Sequence, residues 1–144
     1  MLRKIYILIT AAVALISFGC KPAGKYADLK EYLNETIKAE EGYISELEKA
    51  NSAKEVAAAI TEWGNKMEKL APSAEWLMKK YPELKTMDRK NPPPELREEF
   101  ERIDKLSQKL LTVSMKMMKY MMDSEVMKAT QEMAKKAGKS SLFK

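Results

Sequence analysis

Between Val56 and Tyr81 the apolar residues return with a regularity found nowhere else in the chain: Val56, Ile60, Trp63, Met67, Leu70, Ala74, Leu77 and Tyr81, at alternating steps of four and three. Such spacing keeps one face of an α-helix apolar and is the seam geometry of left-handed helix packing. Pro72 falls inside the seam, where it removes a backbone donor and crowds the preceding turn. The seam nevertheless holds its phase across the proline, which predicts one long helix kinked near Leu70. Upstream, Tyr26, Leu29, Leu33, Ile37, Ile44 and Leu47 define an earlier helix from Lys25 to Ala50, interrupted at Glu40 and weakened at Gly42. Asn51 and Ser52 end it, and Ser52-Ala53-Lys54-Glu55 has the form of a capping box, serine oxygen to the amide three residues on and glutamate back to the cap amide. So tight a junction makes the two helices antiparallel neighbours.

Pro82 and the run Asn91-Pro92-Pro93-Pro94 bracket a stiff connection with one helical turn expected at Glu83 to Met87. A third helix follows, with Glu95, Glu98 and Glu99 where the amino-terminal dipole favours carboxylates. Its stripe is Leu96, Phe100, Ile103, Leu106, Leu110, Val113, Met117, Tyr120 and Met121. Asp123-Ser124 can cap a fourth helix from Glu125 to Ala137 closed by Gly138, or the third can run straight through. Either outcome is an all-α, antiparallel three- or four-helix bundle with long helices over residues 25–138 and a tail at 139–144, Leu142 and Phe143 docking on the bundle.

The stretch Ser114 to Met122, SMKMMKYMM, breaks the one-stripe rule. Projected at 100° per residue, Met117 and Met121 join the main stripe, whereas Met115, Met118 and Met122 fall with Leu111 and Met133 on an adjacent face. A surface helix needs a single stripe, so something covers the second face. The simplest cover is the rest of the bundle, with methionine filling irregular gaps. The others are a partner surface (a homodimer seam, a groove for another envelope protein, or lipid) and a soft-metal site, in which Met115, Met118 and Met122 offer three thioethers suited to Cu(I) or Ag(I).

The amino terminus changes the picture most. Arg3 and Lys4 precede about fourteen apolar residues, Ile5 to Phe18, too short to span a bilayer and of the length of a signal-peptide apolar region. The run ends Leu15-Ile16-Ser17-Phe18-Gly19-Cys20, and Cys20 is the only cysteine. This stretch resembles the lipobox of bacterial lipoprotein precursors, where a cysteine behind a small residue is acylated and the chain is cut just before it. Gly19 fits the position before the cysteine; Ser17 stands where leucine is common, with Ile16 one place back, a relaxed form similar to that of spirochaete lipoproteins. The resemblance implies residues 1–19 as signal peptide, Cys20 as the lipid attachment site and 20–24 as a lipidated tether. Covalent acyl chains then fix the protein to the outer or cytoplasmic membrane of the cell envelope, facing periplasm or exterior.

Charge and missing residue types narrow the function. The whole chain carries 26 basic and 21 acidic residues; without residues 1–19 the balance is only +3, too little for a nucleic-acid partner, which export also disfavours. Residues 25–50 are acidic and residues 115–144 basic, so the first and last helical segments are expected side by side, or the basic end against anionic lipid or cell-wall polymer. The chain has no histidine. That removes haem attachment, a Glu-x-x-His di-iron site, zinc sites and the histidine-dependent nucleophiles, and there is no glycine-rich phosphate loop. The carboxylate neighbours Glu40/Glu41 and Glu98/Glu99 read as solvated faces. The sequence therefore points to a non-enzymatic, lipid-anchored binding or scaffolding module without a cofactor. Its alternative is a methionine-rich Cu(I)/Ag(I)-binding envelope protein, and the partner-surface candidates are Leu111, Met115, Met118, Met122 and Met133.

Overall fold

The computed structural model describes residues 24–139; the apolar amino-terminal segment, Cys20, Leu142 and Phe143 lie outside them. Four α-helices form among the described residues: α1 (Ala27–Lys49), α2 (Ala53–Lys80), α3 (Arg97–Met117) and α4 (Ser124–Lys139). The protein is thus an all-α bundle. The α1–α2 corner uses the expected box with one change. The Glu55 N–H donates to Ser52 Oγ (3.3 Å), but the Glu55 carboxylate accepts from the Asn51 N–H (2.7 Å), one residue before the cap. That bond, foremost, holds the Glu55 carboxyl below the usual carboxylate range.

Helix α2 passes through Pro72 without ending. Pro72 and Glu68, whose carbonyl loses its helical donor there, are both exposed residues, so the interruption falls on the solvent side of the helix. The proline-rich connection holds two short 3₁₀ turns, Pro82–Lys85 and Pro94–Leu96. The third sequence pattern divides in two: α3 gives way to a 3₁₀ turn at Met118–Tyr120, and Asp123 Oδ1 then accepts from the Glu125 N–H (2.9 Å), capping α4. The fourth helix starts at Ser124 and runs through Gly138 to Lys139.

The helices alternate in direction, yet their order in space is α3–α1–α2–α4. Helix α1 packs on α2 and α3, and α2 on α1 and α4. Matching partners climb together along α1 and α3: Lys30 with Glu99, Glu41 with Arg102, Glu48 with Lys109. Along α2 and α4, Glu68 meets Lys136, and Gly64 lets α4 approach so closely that a Cβ there would stand 3.2 Å from Met133 Cγ. The expected pairing of acidic first and basic last helix is therefore corrected. The acids of α1 are met by α3, and α4 lies on α2, because α3 intervenes in chain order and supplies Arg102 and Lys109.

Two separate cores result. At the end where the described chain begins, here the base, Tyr26, Leu29, Leu77, Tyr81 and Leu96 are buried together. At the opposite end, the apex, Ile44, Leu47, Val56, Ile60, Val113, Met117, Val126 and Ala129 form the larger cluster.

Candidate functional site

At the apex α3, the following 3₁₀ turn and α4 spread over the α1–α2 corner without closing on each other. Between them lies a cleft of about 310 Å³. Its floor is Tyr43 and Leu47 of α1 with Val56 and Ile60 of α2; its walls are Ser114, Met117, Met118 and Met121 on one side and Thr130 and Met133 on the other. Tyr43 stacks on Trp63 with ring centroids 5.0 Å apart and planes 22° apart, and burial pushes the Tyr43 hydroxyl above its ordinary value. Trp63 Nε1 is buried without an acceptor among the described residues. A larger hollow of about 520 Å³ at the base, bordered by Glu83, Arg97 and Pro92 to Pro94, is a shallow groove with a substantial polar lining. The apex cleft better fits an apolar ligand, having a predominantly apolar wall with few polar groups.

The second methionine face is exposed among the described residues. Leu111 is 67% exposed, Met115 68%, Met118 69% and Met122 86%. The expectation that the bundle covers this face is thus corrected for these four, because among the described helices α3 packs mainly on α1 and stands at the edge. Met133, the fifth candidate, is half-buried against the apex core and touches the Gly64 position. Met121, assigned to the main stripe by its register, is 46% exposed, since the 3₁₀ turn ends the helix before it. Seven large apolar side chains are exposed among the described residues, and six of them lie between Leu111 and Met127. The seventh, Trp76, carries the Lys80 ammonium 4.6 Å over its ring. Apolar residues scattered singly need no explanation, whereas a contiguous patch marks an interaction surface. Burying each of these leucines or methionines would be worth about 1–2 kcal/mol.

What holds α3 to α1 is a polar cluster that sequence reasoning missed. Glu99 is 2% exposed, not solvated. Its Oε1 pairs with Lys30 Nζ (3.2 Å) and accepts from Asn34 Nδ2 (3.3 Å), while Arg102 donates to Asn34 Oδ1 and Glu41 Oε1 (3.1 Å each). Glu99 Oε2 has no partner among the described residues. The signal was present: Glu99 lies three residues after Leu96 and four before Ile103, in register with the buried stripe. This cluster positions α3 and has none of the geometry of a catalytic pair.

The three methionines considered for a soft metal, Met115, Met118 and Met122, stand on the outer surface. The cleft gathers a different thioether set: Met117, Met118, Met121 and Met133. Among the described residues no three His, Cys, Asp or Glu side chains gather as a metal site, and no helix is long and apolar enough to cross a membrane. No protein-family model, curated protein or solved structure matches this chain.

Proposed function

We propose that this chain is a lipid-anchored, non-enzymatic binding module of a bacterial cell envelope, tethered through Cys20, whose methionine-lined apex docks an apolar segment of another envelope protein. The observation that carries the reading is the separation of the two ends. The described chain begins at Gly24 beside the base, where Lys25 pairs with Glu83, and the apolar patch lies at the other end of α1. A helix of 23 residues is about 35 Å long, at 1.5 Å per residue. The five residues Cys20 to Gly24 reach at most about 18 Å. A molecule standing on its tether carries the patch away from its own membrane, which favours a protein partner over lipid. Methionine suits such a surface because its unbranched, polarisable chain repacks around the ligand it meets.

Two measurements test this. Mass spectrometry of the protein from its native host should find the chain beginning at an acylated Cys20; Met1 retained, or an unmodified thiol, would remove the anchor. Capture from solubilised envelopes should yield a partner with the wild type that is lost with Met118→Glu/Met121→Glu; equal capture by both would remove the apex as the binding surface.

A second reading, Cu(I) or Ag(I) binding, is supported by the four thioethers along one cleft. Anaerobic Cu(I) titration should then saturate near one equivalent and be abolished by Met121→Leu/Met133→Leu with the fold intact. An absent or non-saturating response ends that reading.

A further inference from the structure

The side of α3 turned away from α1 carries a ridge. Leu111, Met115, Met118 and Met122 follow one another at steps of four, three and four, and all are exposed. Leu111 and Met115 lie on α3 and Met118 opens the 3₁₀ turn that follows, so the helical seam spacing runs from Leu111 to Met118, and Met122 lies beyond the helix end. Its borders set it apart in a chain that is 33% charged: Ser107, Gln108, Thr112 and Ser114 flank it, every one exposed and uncharged. The lysines of this region are directed elsewhere. Lys109 and Lys116 reach back to Glu48 on α1, and Lys119 lies 4.7 Å over the Tyr120 ring. A solvated helix face normally carries the charges and a partner-facing one lacks them; here the outward face carries only Lys119, at its edge.

We infer that a second copy of this chain covers the ridge, α3 against α3 and parallel, with both copies standing on the same membrane. The inference rests in part on the lipid-anchored reading above and names a further partner for the same apex. Three observations select this occupant. Helix α3 is the edge of the described helix layer, so two copies can approach with no other described helix between them. The ridge is self-complementary in register: in a parallel α3 pair Leu111, Met115 and, at the helix end, Met118 each meet their own counterpart. The residues brought together beside the seam are Ser107 with Thr112 and Ser114 with Lys119, so no like charges meet along it. Asp104, the next charged position in the same register, ends the seam. Finally, the chain outside the structure leaves from Gly24 at the base, where α3 also begins, so copies tethered to one surface stand in the same direction.

The size of the ridge says when the pair forms. It offers a few hundred Å² per copy, short of the roughly 800 Å² per partner of a stable interface between free proteins. Confinement to a membrane raises the effective concentration of one copy for another, which compensates for a small interface. The pair would set two methionine clefts side by side, with Met118 shared between seam and cleft.

The test is disulfide trapping of the full chain in its own membranes, with single cysteines at Leu111→Cys, Met115→Cys or Met118→Cys and an off-seam control at Thr61→Cys on α2. Under a mild oxidant the three seam variants should each give a covalent homodimer at least about tenfold above the control, and adding Met115→Glu to Leu111→Cys should abolish it. Bands no stronger than the control overturn the inference. Stronger linking between mixed Leu111→Cys and Met115→Cys copies than within either overturns the parallel arrangement. The chain without an added cysteine separates the two readings. If it cross-links, Cys20 is a free thiol and the anchor fails, while the seam is then scored on a Cys20→Ser background. If Cys20 is acylated and the seam variants stay monomeric, the anchor stands and the dimer fails.

Discussion

The base and the apex of this bundle are built by different chemistry: the base from α1, α2, the start of α3 and the connection before it, the apex from all four helices. At the base the packing is directional: the Tyr26 and Tyr81 rings tilt at 52° with centroids 5.3 Å apart, and the Tyr81 hydroxyl donates to the Lys25 carbonyl (2.7 Å). The Tyr26 hydroxyl donates to Glu83, which also pairs with Lys25, and Lys80 pairs with Asp28. At the apex one stacked aromatic pair, Tyr43 and Trp63, lies beside packing that is otherwise aliphatic and thioether, with the end of α3, its 3₁₀ turn and α4 bordering an open cleft. Hydrogen-bonded aromatic pairs have few alternative arrangements, whereas methionines have many. The base is therefore specified as a single shape, and the apex is left adaptable, as the proposed binding surface requires.

The largest effect expected from breaking this contrast is at Leu96, which is fully buried in the base core. Leu96→Ala should cost about 3–5 kcal/mol in chemical denaturation, because its rigid aromatic neighbours cannot collapse into the cavity. Met117→Ala at the apex should cost nearer about 2 kcal/mol, since flexible neighbours such as Met118 and Met133 can relax into the space. Equal losses would contradict the contrast. Next comes the cluster joining α3 to α1. Lys30→Met leaves the Glu99 carboxylate buried with only Asn34, at a cost of about 1–3 kcal/mol, and Lys30→Met/Glu99→Leu should recover most of it. A double-mutant cycle measures the coupling, and additive losses would exclude it.

Substitutions on the outer ridge should barely move stability. Leu111→Gln/Met115→Gln is expected within about 0.5 kcal/mol of wild type by thermal melting, since both side chains already face solvent. Smallest is a pH effect. Partial burial raises the Glu40 carboxyl above its ordinary value, so its protonated form is the one folding favours. Its contribution to stability is present at acid pH and lost as pH rises through that raised value. Glu40→Gln should therefore stabilise the fold slightly at pH 7, by about a few tenths of a kcal/mol at most in chemical denaturation, with no gain near pH 4. The base pairs behave oppositely. The hydrogen bond from Lys25 lowers the Glu83 carboxyl, and the hydrogen bond to Glu83 raises Lys25, so their contribution is flat through neutrality and fades only in acid or strong alkali.

Much of the architecture was legible in the chain because it is local. The four-and-three seam of α2, the Ser52 cap and the register of α1 each depend on residues within a few turns, and each appears where the pattern put it. Glu99 was misread because identity outweighed register: a glutamate near a helix start suggests a solvated, dipole-facing carboxylate, although its position on the buried stripe said otherwise. Gly64 went unnoticed for a different reason. A close approach by α4 is a fact about another helix, and no local pattern in α2 announces it.

What the sequence determined by itself is where helices form and which stripe of each is apolar, because those follow from periodicity, caps and prolines along one dimension. Which helix lies on which is decided only by three-dimensional packing. The order α3–α1–α2–α4 converts a doubly apolar helix into an edge, leaves Leu111, Met115, Met118 and Met122 in solvent, and draws Met117, Met118, Met121 and Met133 around one cleft. A helical wheel shows that α3 has two apolar faces; only the arrangement of its neighbours, through the limited surface α1 can cover, decides which of them is buried.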